Sequence, residues 1–497
     1  MKKRLNENKR FNTQGRLVWS ILAKKQVRMR MKLLTFTREN IFILAILMVG
    51  TFLRLDRLGE LMPLIGDQGW FYLSARDMIL TGNIPLVGIT SSHTWLHQGP
   101  IWTYMLAGAL WISNFNPVSG AALAALIGTG SIFLIYKIGE EFFSKKIGLV
   151  AALIYATSPL IIIHERLAYH TSPIPFVVLV LIYSLLKVLK GKPIYLPIVA
   201  LSISLLYNFE LATVVFIPVV LFVLALGIYK KEKWVKRINN RKIIVLSMLG
   251  LLIPMIPILI YDLGHGFPQT LKFGVWFFYK GFQLIGLVEK QSNESFMGTV
   301  QFFVDKAALL IFAPNALISI IAIAVSIIVA GFFIFKKRDI LSPLGIVLAL
   351  TVVGLLGFFA AGARSEAYLP MLFPGIILLT SFSIYYLFDK KLLATLIVLS
   401  ASILNAVFIV QNNYLVDTSP GYGPSLERRV EVVDKIIKQA NGRKYNLDGR
   451  GEGSEFESFT MNYEYLLWWR GNPPSSEKQN LIFVIDEKQD RIDVTIK

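Results

Sequence analysis

An aspartate with aromatic and polar neighbours begins the one long polar interval in the first third of this very apolar chain. The interval runs from Gly66 to Pro100 and includes the segments GDQGWFYLSARDMILTG and SSHTWLHQGP. A carboxylate such as Asp67 can act as a general base, and His93 and His97 can exchange protons or bind a ligand. We therefore expect any chemistry to centre on Asp67.

The aspartate and the histidines also have simpler interpretations. Asp67 would equally serve as the cap of a helix that begins near Gly69. His93, His97 and His265 could form a metal site with a carboxylate, but scattered histidines more often form hydrogen bonds within loops. The sequence contains no cysteine, which excludes disulfides and thiolate metal sites. We therefore predict no cofactor and no metal.

The composition places these residues in a membrane protein. Of the 497 residues, 54% are hydrophobic and 17% are charged, and the mean hydropathy is +0.57. Repeated apolar runs of about 17 to 25 residues are long enough to cross a bilayer as helices. The net charge of +19 is concentrated between these runs, as in cytoplasmic loops, so nucleic acid is not an expected partner.

The basic residues orient the predicted helices. Residues 1–38 contain twelve Lys or Arg residues and one Glu, and they are predicted to be a disordered cytoplasmic tail. A signal-anchor helix over 41–58 follows, so the chain is predicted to lie in the cell membrane with its N-terminus in the cytoplasm. Ten further crossings make eleven, and they are predicted near 118–136, 147–164, 173–189, 194–209, 211–229, 242–262, 308–335, 341–362, 369–388 and 392–411.

The predicted membrane domain, residues 39–411, has two long outer loops, at 59–117 and 262–306. Two helices of the first loop, 68–81 and 101–115, are placed at the membrane interface. Counting 101–115 as a crossing would move the basic segment KIGEEFFSKK outside and invert every later loop.

The C-terminal residues 412–497 lose the apolar character and are predicted to form a small extracytoplasmic α/β domain. The periodicity indicates helices near 424–440 and 456–469 and strands near 443–448 and 480–486. The predicted fold class is therefore an all-α polytopic membrane protein with a small outer α/β domain.

This topology brings the ionisable residues to one side of the membrane, whereas the predicted crossings are almost free of charge at mid-bilayer. The distribution favours a site at the outer interface over a path through the membrane. The residues that lie outside or at outer helix ends are the five histidines, Asp67, Arg166, Asp262, Arg364 and Glu366.

Two stretches resemble a known superfamily. GDQGWFYLSARDMILTG followed by HQGPIWTYMLAGAL resembles the first outer loop of GT-C glycosyltransferases of the protein O-mannosyltransferase and aminoarabinose-transferase type (glycosyltransferase family 39). The later stretch from LIYKIGEEFF to ERLAYHTSP is similar to the part of that family that leads to an arginine-containing outer loop. The resemblance covers roughly residues 40 to 230 and implies a GT-C fold.

The resemblance implies transfer of a hexose or pentose from a polyprenyl-phosphate donor to a glycan, lipid or protein hydroxyl. Because the leaving group is already a stabilised anion, a single carboxylate should suffice for an inverting reaction, and Asp67 fits that role. Cations near the outer helix ends would hold the phosphate: Arg166 matches the family's loop arginine, while Arg364 and Lys272 follow from position alone. The expected substrate-binding residues are Gln68, Tyr72, His97, Tyr169, His170 and Glu366.

The sequence departs from the family at two positions. Protein O-mannosyltransferases carry a second Asp in the loop that reads ERLAYHTSP here, so either His170 or Tyr169 takes its place at the acceptor or the loop serves only the donor. Gln68 replaces the commoner Glu, which disfavours a metal at this pair.

Two other functions stay open. One is a lipid or sugar transporter or flippase, although its expected signs, such as inverted repeats and mid-membrane ionisable residues, are not evident. The other is an inactive sugar-lipid-binding protein, which the missing second Asp favours.

Overall fold

The computed structural model describes residues 40–90, 96–284, 286–287, 296–362, 364–388, 391–414, 418–419, 423–451, 453–488 and 491–497. The predicted basic tail and His93 lie outside the described residues.

Apolar helices make up most of the first half of the chain, in agreement with the hydropathy pattern. The N-terminal part contains α1 (Asn40–Leu55), α2 (Leu58–Leu61), α3 (Gly66–Thr81), α4 (Ile101–Ile112), α5 (Val118–Phe142), α6 (Lys145–Thr157) and α7 (Pro159–His164). The next part contains α8 (Ile174–Leu189), α9 (Leu196–Phe209), α10 (Phe216–Tyr229), α11 (Lys233–Ile238), α12 (Arg241–Leu252) and α13 (Ile256–His265).

The helical pattern continues through the second half of the membrane domain. Its helices are α14 (Pro268–Leu284), α15 (Phe296–Ile311), α16 (Ala316–Lys337), α17 (Pro343–Ala361), α18 (Phe373–Leu387) and α19 (Lys391–Ile409). Short 3-10 turns lie at Pro193–Tyr195, Leu211–Val215, Ile253–Met255 and Glu366–Tyr368, and a π-helical turn lies at Val410–Tyr414.

Six helical stretches among the described residues are long and apolar enough to cross a membrane, so the chain is a multi-pass membrane protein. They are Val118–Phe142, Leu211–Tyr229, Arg241–His265, Ala316–Lys337, Pro343–Ala361 and Leu392–Asn412. Shorter apolar helices occupy most of the other predicted crossings, and the total of eleven stays a prediction.

Two predicted crossings are interrupted in the structure, and a third predicted segment forms a short helix. The segment 147–164 is broken at Ser158, because Pro159 has no N–H for the preceding helix and instead begins α7. The segment 308–335 is divided between α15 and α16, and the side chain of Asn315 caps α16 by accepting from Ile318 N at 3.1 Å. Helix α4 has twelve residues, or about 18 Å, and its placement at the interface stays a prediction.

The C-terminal domain contains helices and strands near the predicted positions and three further strands, two of them only two residues long. Its elements are β1 (Thr418–Ser419), β2 (Gly423–Pro424), α20 (Leu426–Ala440), β3 (Asn446–Arg450), a 3-10 turn at Glu457–Thr460, α21 (Met461–Trp469), β4 (Ile482–Glu487) and β5 (Ile492–Ile496). In the sheet β3-β4-β5, β3 is parallel to β4, with Asn446 opposite Ile482, and β5 is antiparallel to β4. This domain packs on α3 and shares one apolar core with the membrane helices.

Candidate active site

Helix α3 places Asp67 between the membrane domain and the C-terminal domain. Asp67 is half-buried, and its Oδ2 accepts a hydrogen bond from the Tyr169 hydroxyl at 3.1 Å. Its Oδ1 accepts from the Ser458 hydroxyl at 2.7 Å, across 391 residues of sequence. Because Asp67 is the second residue of α3, it is not the N-cap that the simpler interpretation expected.

The first turn of α3 lies very close to the C-terminal domain because it contains two glycines. A Cβ on Gly66 would lie 2.3 Å from the Ser458 carbonyl oxygen, and one on Gly69 would lie 2.1 Å from the backbone nitrogen of Asn462. The Asn462 side-chain amide also donates to the Leu64 carbonyl at 2.6 Å. These contacts hold Ser458 beside Asp67.

The loop that carries Tyr169 is anchored by a buried ion pair. Arg54 at the end of α1 lies 2.6 Å from the Glu165 carboxylate, and both side chains are almost completely buried. The Tyr155 hydroxyl donates to the other oxygen of Glu165 at 2.7 Å. The ion pair therefore joins the start of the loop to the C-terminal end of α1.

Arg166, the predicted phosphate ligand, adds to this anchor. Its side chain is 4% exposed, and its Nη1 donates to the carbonyl oxygens of Leu53, Arg54 and Asp56 at 3.2, 3.1 and 2.9 Å. The observed contacts of Arg166 hold the loop in place, and its role toward a donor phosphate stays a prediction.

A second group of polar side chains lies on the other side of Tyr169. The His170 ring packs against Tyr169, with 4.2 Å between ring centroids, and its Nε2 lies 3.5 Å from the Glu210 carboxylate. The same carboxylate oxygen accepts from the Gln98 side-chain amide at 3.1 Å. Asp67, Tyr169, His170, Glu210 and Gln98 thus form one continuous cluster, which we call the outer polar cluster.

The electrostatics of this cluster keep Tyr169 protonated. Burial raises the pKa of Tyr169 well above its usual value, and the negative charges of Asp67 and Glu210 raise it further. The phenol therefore acts as a hydrogen-bond donor to Asp67 throughout the physiological pH range.

Two buried atoms beside Glu210 have no hydrogen-bond partner in the part of the chain that the structure describes. They are Oε1 of Gln98 and Nδ1 of His170. Buried polar atoms of proteins are almost always paired with protein, water or ligand. A ligand that carries several hydroxyl groups would supply partners for both.

Glu366 lies in a neighbouring group of charges. Its carboxylate forms an ion pair with Lys306 of α15 and lies 3.6 Å from Nε2 of His164. Arg364 is exposed, and its guanidinium packs so closely over Gly298 that a Cβ there would meet it at 1.9 Å. Two cations therefore lie in this region, Lys306 in the second half of α15 and Arg364 just after α17.

The remaining predicted site residues are found in other contacts. Gln68 is buried and accepts from Ile65 N at 2.8 Å, and Tyr72 is buried and donates to the Pro117 carbonyl at 2.5 Å. His97 Nδ1 lies 3.1 Å from the Gly88 carbonyl oxygen, and Lys272 is exposed on α14. Their predicted substrate roles stay predictions.

Sequence reasoning did not identify Gln98, Glu210, Lys306 or Ser458 as site residues. Gln98 belongs to the HQGP motif, and Glu210 interrupts the apolar segment YNFELAT, so both carried a weak signal. Ser458 lies in an ordinary polar turn, and Lys306 lies beside Asp305 at the start of an apolar run, where a lysine is a common flanking residue. Among the described residues, no group of three His, Asp or Glu side chains is arranged to hold a metal ion.

Comparison with known proteins supports the resemblance seen in the sequence. A family model described as dolichyl-phosphate-mannose-protein mannosyltransferase matches residues 97–261, about a third of the chain. No curated protein matches the sequence.

Solved structures show the fold. The archaeal oligosaccharyltransferase AglB from Archaeoglobus fulgidus, in complex with an inhibitory peptide and a dolichol-phosphate, is 12% identical with a TM-score of 0.56. The alignment covers 89% of this chain and 69% of AglB. ArnT from Cupriavidus metallidurans bound to undecaprenyl phosphate is 11% identical with a TM-score of 0.54, over 90% of this chain and 93% of ArnT. In the apo state, ArnT gives 10% identity and a TM-score of 0.57 over 91% and 93% of the two chains. The predicted resemblance to GT-C transferases is therefore confirmed, and at these identities the structures establish the fold.

Proposed function

We propose that this protein is a membrane glycosyltransferase that moves a sugar from a polyprenyl-phosphate donor to an acceptor hydroxyl at the outer face of the membrane. The observation that carries this proposal is the outer polar cluster, in which Asp67 is held by two hydroxyl donors within a GT-C fold. The family model and the lipid phosphates bound to AglB and ArnT support the same class of donor.

Asp67 would act as the base in an inverting transfer. Its carboxylate takes the proton of the acceptor hydroxyl while the acceptor oxygen attacks the anomeric carbon of the donor sugar. The bond between that carbon and the phosphate oxygen breaks, and the polyprenyl phosphate leaves as an anion that needs no protonation. Tyr169 and Ser458 would fix the orientation of the carboxylate, because each donates to one of its oxygens.

The other polar residues form two groups, one suited to sugar hydroxyls and one suited to the donor phosphate. Gln98, His170 and Glu210 are buried and offer donors and acceptors suited to sugar hydroxyls. Lys306, in the second half of α15, and Arg364, just after α17, are cations that would suit the donor phosphate. Arg166 and Lys272 stay candidates for the same phosphate.

The proposal is tested with purified protein in proteoliposomes that contain the lipid extract of its source membranes. Mass spectrometry follows the conversion of polyprenyl-phosphate sugar to free polyprenyl phosphate and identifies the glycosylated product. We expect conversion by the wild type and by Asp56→Asn, a matched carboxylate control near the end of α1, but not by Asp67→Asn.

Other outcomes would contradict the proposal. Full conversion by folded Asp67→Asn would remove Asp67 from the role of base. Counterflow of a sugar or lipid in sealed vesicles without any covalent transfer would instead favour a transporter. Stable binding of a sugar lipid that the wild type never converts would favour an inactive binding protein.

A further inference from the structure

A cleft of about 810 Å³ lies between α3 and the C-terminal domain, next to the outer polar cluster. Its volume falls in the range of small-molecule binding sites. One wall is formed by α3 and the other by α21, the start of β3 and the loop at 473–476. The lining residues are Trp70, Ser74, Arg76, Asp77, Glu464 and Trp468, with the remaining surface from neighbouring residues of the same elements.

The cleft combines aromatic faces with charged hydrogen-bonding groups. Trp70 and Trp468 are both half-buried, so part of each indole faces the cleft. The Arg76 guanidinium lies 5.1 Å from the centre of the Trp468 ring and pairs with Asp77 at 2.6 Å. Sugar rings present an apolar C–H face and a rim of hydroxyls, and indole faces flanked by carboxylates and a guanidinium are complementary to both.

The position of the cleft relates it to Asp67. Trp70 and Ser74 follow Asp67 by three and seven residues, so all three share one face of α3. The nearest lining residue is therefore about one helical turn from Asp67, and the cleft extends from Trp70 to Thr81, about 16 Å along the helix. On the opposite wall, Ser458 belongs to the turn that leads into α21.

The charged residues that line the cleft and the edge of strand β3 indicate which class of acceptor would fit. Arg76, Asp77 and Glu464 are the charged residues that line the cleft, which leaves it with one excess negative charge and disfavours anionic ligands. A peptide could be added as a strand only at a free edge of β3. However, the Ser475 amide donates to the Tyr445 carbonyl at 2.8 Å, and the Asn446 side chain bonds to the 475–479 segment. This end of the β3 edge is thus covered.

From these observations we infer that the cleft binds the acceptor, a neutral oligosaccharide of about three sugar units, and directs its reacting end toward Asp67. The inference rests on the proposed transferase function, and it specifies the acceptor class of that same site.

Binding is measured separately from turnover. Purified protein in lipid nanodiscs is titrated with maltotriose and mannotriose, with trigalacturonate as the anionic probe and with a peptide rich in serine and threonine. Saturation-transfer NMR and calorimetry report binding. We expect at least one of the neutral trisaccharides to bind the wild type and Asp67→Asn equally well. Trigalacturonate and the peptide should bind at least tenfold more weakly.

Variants then locate the binding. Trp468→Leu and Glu464→Gln should each weaken trisaccharide binding about tenfold or more, which corresponds to about 1.4 kcal/mol. The matched controls are Trp469→Leu, a neighbouring tryptophan that does not line the cleft, and Glu431→Gln on α20. Because Trp468 also packs against Phe115, Glu464→Gln provides the test that depends less on folding.

Three results would overturn the inference. They are the failure of both neutral trisaccharides to bind folded wild type, equal weakening by the control variants, and cleft-dependent binding of the peptide instead. Each is distinguishable from failure of the proposed function, since donor turnover in proteoliposomes does not enter the measurement. Trisaccharide binding in a protein that converts no donor would contradict the transferase but leave the cleft assigned.

Discussion

Two hydroxyl groups hold Asp67, and they come from distant parts of the chain. Tyr169 lies in the loop after α7, whereas Ser458 lies in the C-terminal domain. Each donates to a different carboxylate oxygen, which fixes the plane of the carboxylate. A base must be positioned within hydrogen-bonding distance of the proton that it removes, so both donors should matter for turnover.

Replacing Tyr169 by Phe should lower turnover without weakening donor binding. A hydrogen bond to a charged group contributes about 1.5–3 kcal/mol, so we expect kcat to fall about tenfold or more. The apparent KM for the donor should stay unchanged. Since burial and neighbouring negative charge raise the pKa of Tyr169, the loss should be the same between about pH 6 and 9.

The matched control for this variant is Tyr104→Phe, which removes a hydroxyl that donates to the Pro85 carbonyl. It should leave kcat within about twofold of the wild type. A kcat of Tyr169→Phe that equals that of the control would show that the phenol does not support Asp67.

Replacing Ser458 by Ala should also lower kcat about tenfold, because the second oxygen of Asp67 loses its donor. In a Tyr169→Phe background the loss should be smaller than in the wild type, since both hydroxyls act through the Asp67 carboxylate. The comparison is made by steady-state transfer assays, with Ser454→Ala as a control for a hydroxyl that donates to the nearby Gly451 carbonyl. Additive losses in the double variant would place Ser458 outside the site.

Sequence reasoning identified those site residues that lie in unusual local patterns. Asp67 stands in the long polar interval, whereas Tyr169 and His170 were chosen because they occupy the loop in which the resembling family carries a second Asp. Ser458 belongs to a polar turn of a polar domain, where a serine carries no distinguishing signal. Its approach to Asp67 depends on tertiary packing across 391 residues, which periodicity cannot reveal.

At the scale of secondary-structure elements, the close contact between α3 and α21 depends on glycine. Gly69→Ala would place a methyl group 2.1 Å from the Asn462 amide nitrogen, so the two helices would have to separate. Such overpacking costs about 1–3 kcal/mol, and the separation would also withdraw Ser458 from Asp67. We expect a lower unfolding temperature and a lower kcat.

Gly108→Ala is the control for this prediction. Gly108 lies within α4, and a Cβ there would meet nothing within 4 Å. Alanine favours a helix over glycine by about 0.5–1 kcal/mol, so this variant should be at least as stable as the wild type. Thermal unfolding followed by tryptophan fluorescence would distinguish the two variants, and equal melting temperatures would contradict the packing argument.

The buried ion pair between α1 and the Tyr169 loop should be essential for stability. Glu165→Gln leaves the Arg54 guanidinium buried without a compensating charge, which typically costs about 3–5 kcal/mol. Glu431→Gln breaks the exposed pair with Arg428 and should cost less than about 1 kcal/mol. Melting temperatures in detergent measure both, and a shift for Glu165→Gln no larger than that of the control would show that the pair does not anchor the loop.

The sequence predicted most elements because hydropathy and periodicity are local properties. The breaks within predicted crossings arise at Pro159 and near Asn315, where a proline or a cap interrupts an otherwise apolar run. Strand β5 was not predicted, because its residues alternate with charges and gain their strand conformation by pairing with β4. The helix boundaries near the site thus required the three-dimensional structure.

At the scale of the whole molecule, the C-terminal domain is part of the candidate site. The sequence predicted a small outer domain, and its periodicity could not indicate where that domain would dock. In the structure it packs on α3, provides Ser458 to Asp67 and forms one wall of the cleft. The membrane domain and the C-terminal domain therefore contribute jointly to the geometry around Asp67.

The measurement that tests the central claim most directly is mass spectrometry of the lipids that co-purify with the wild type and with Asp67→Asn under identical mild extraction. If Asp67 is the base that consumes the donor, the variant should retain an intact polyprenyl-phosphate sugar, whereas the wild type should carry less of it. Polyprenyl phosphate without the sugar should instead be enriched on the wild type. Equal amounts of the sugar lipid on both folded proteins, or no phosphosugar lipid on either, would contradict the account.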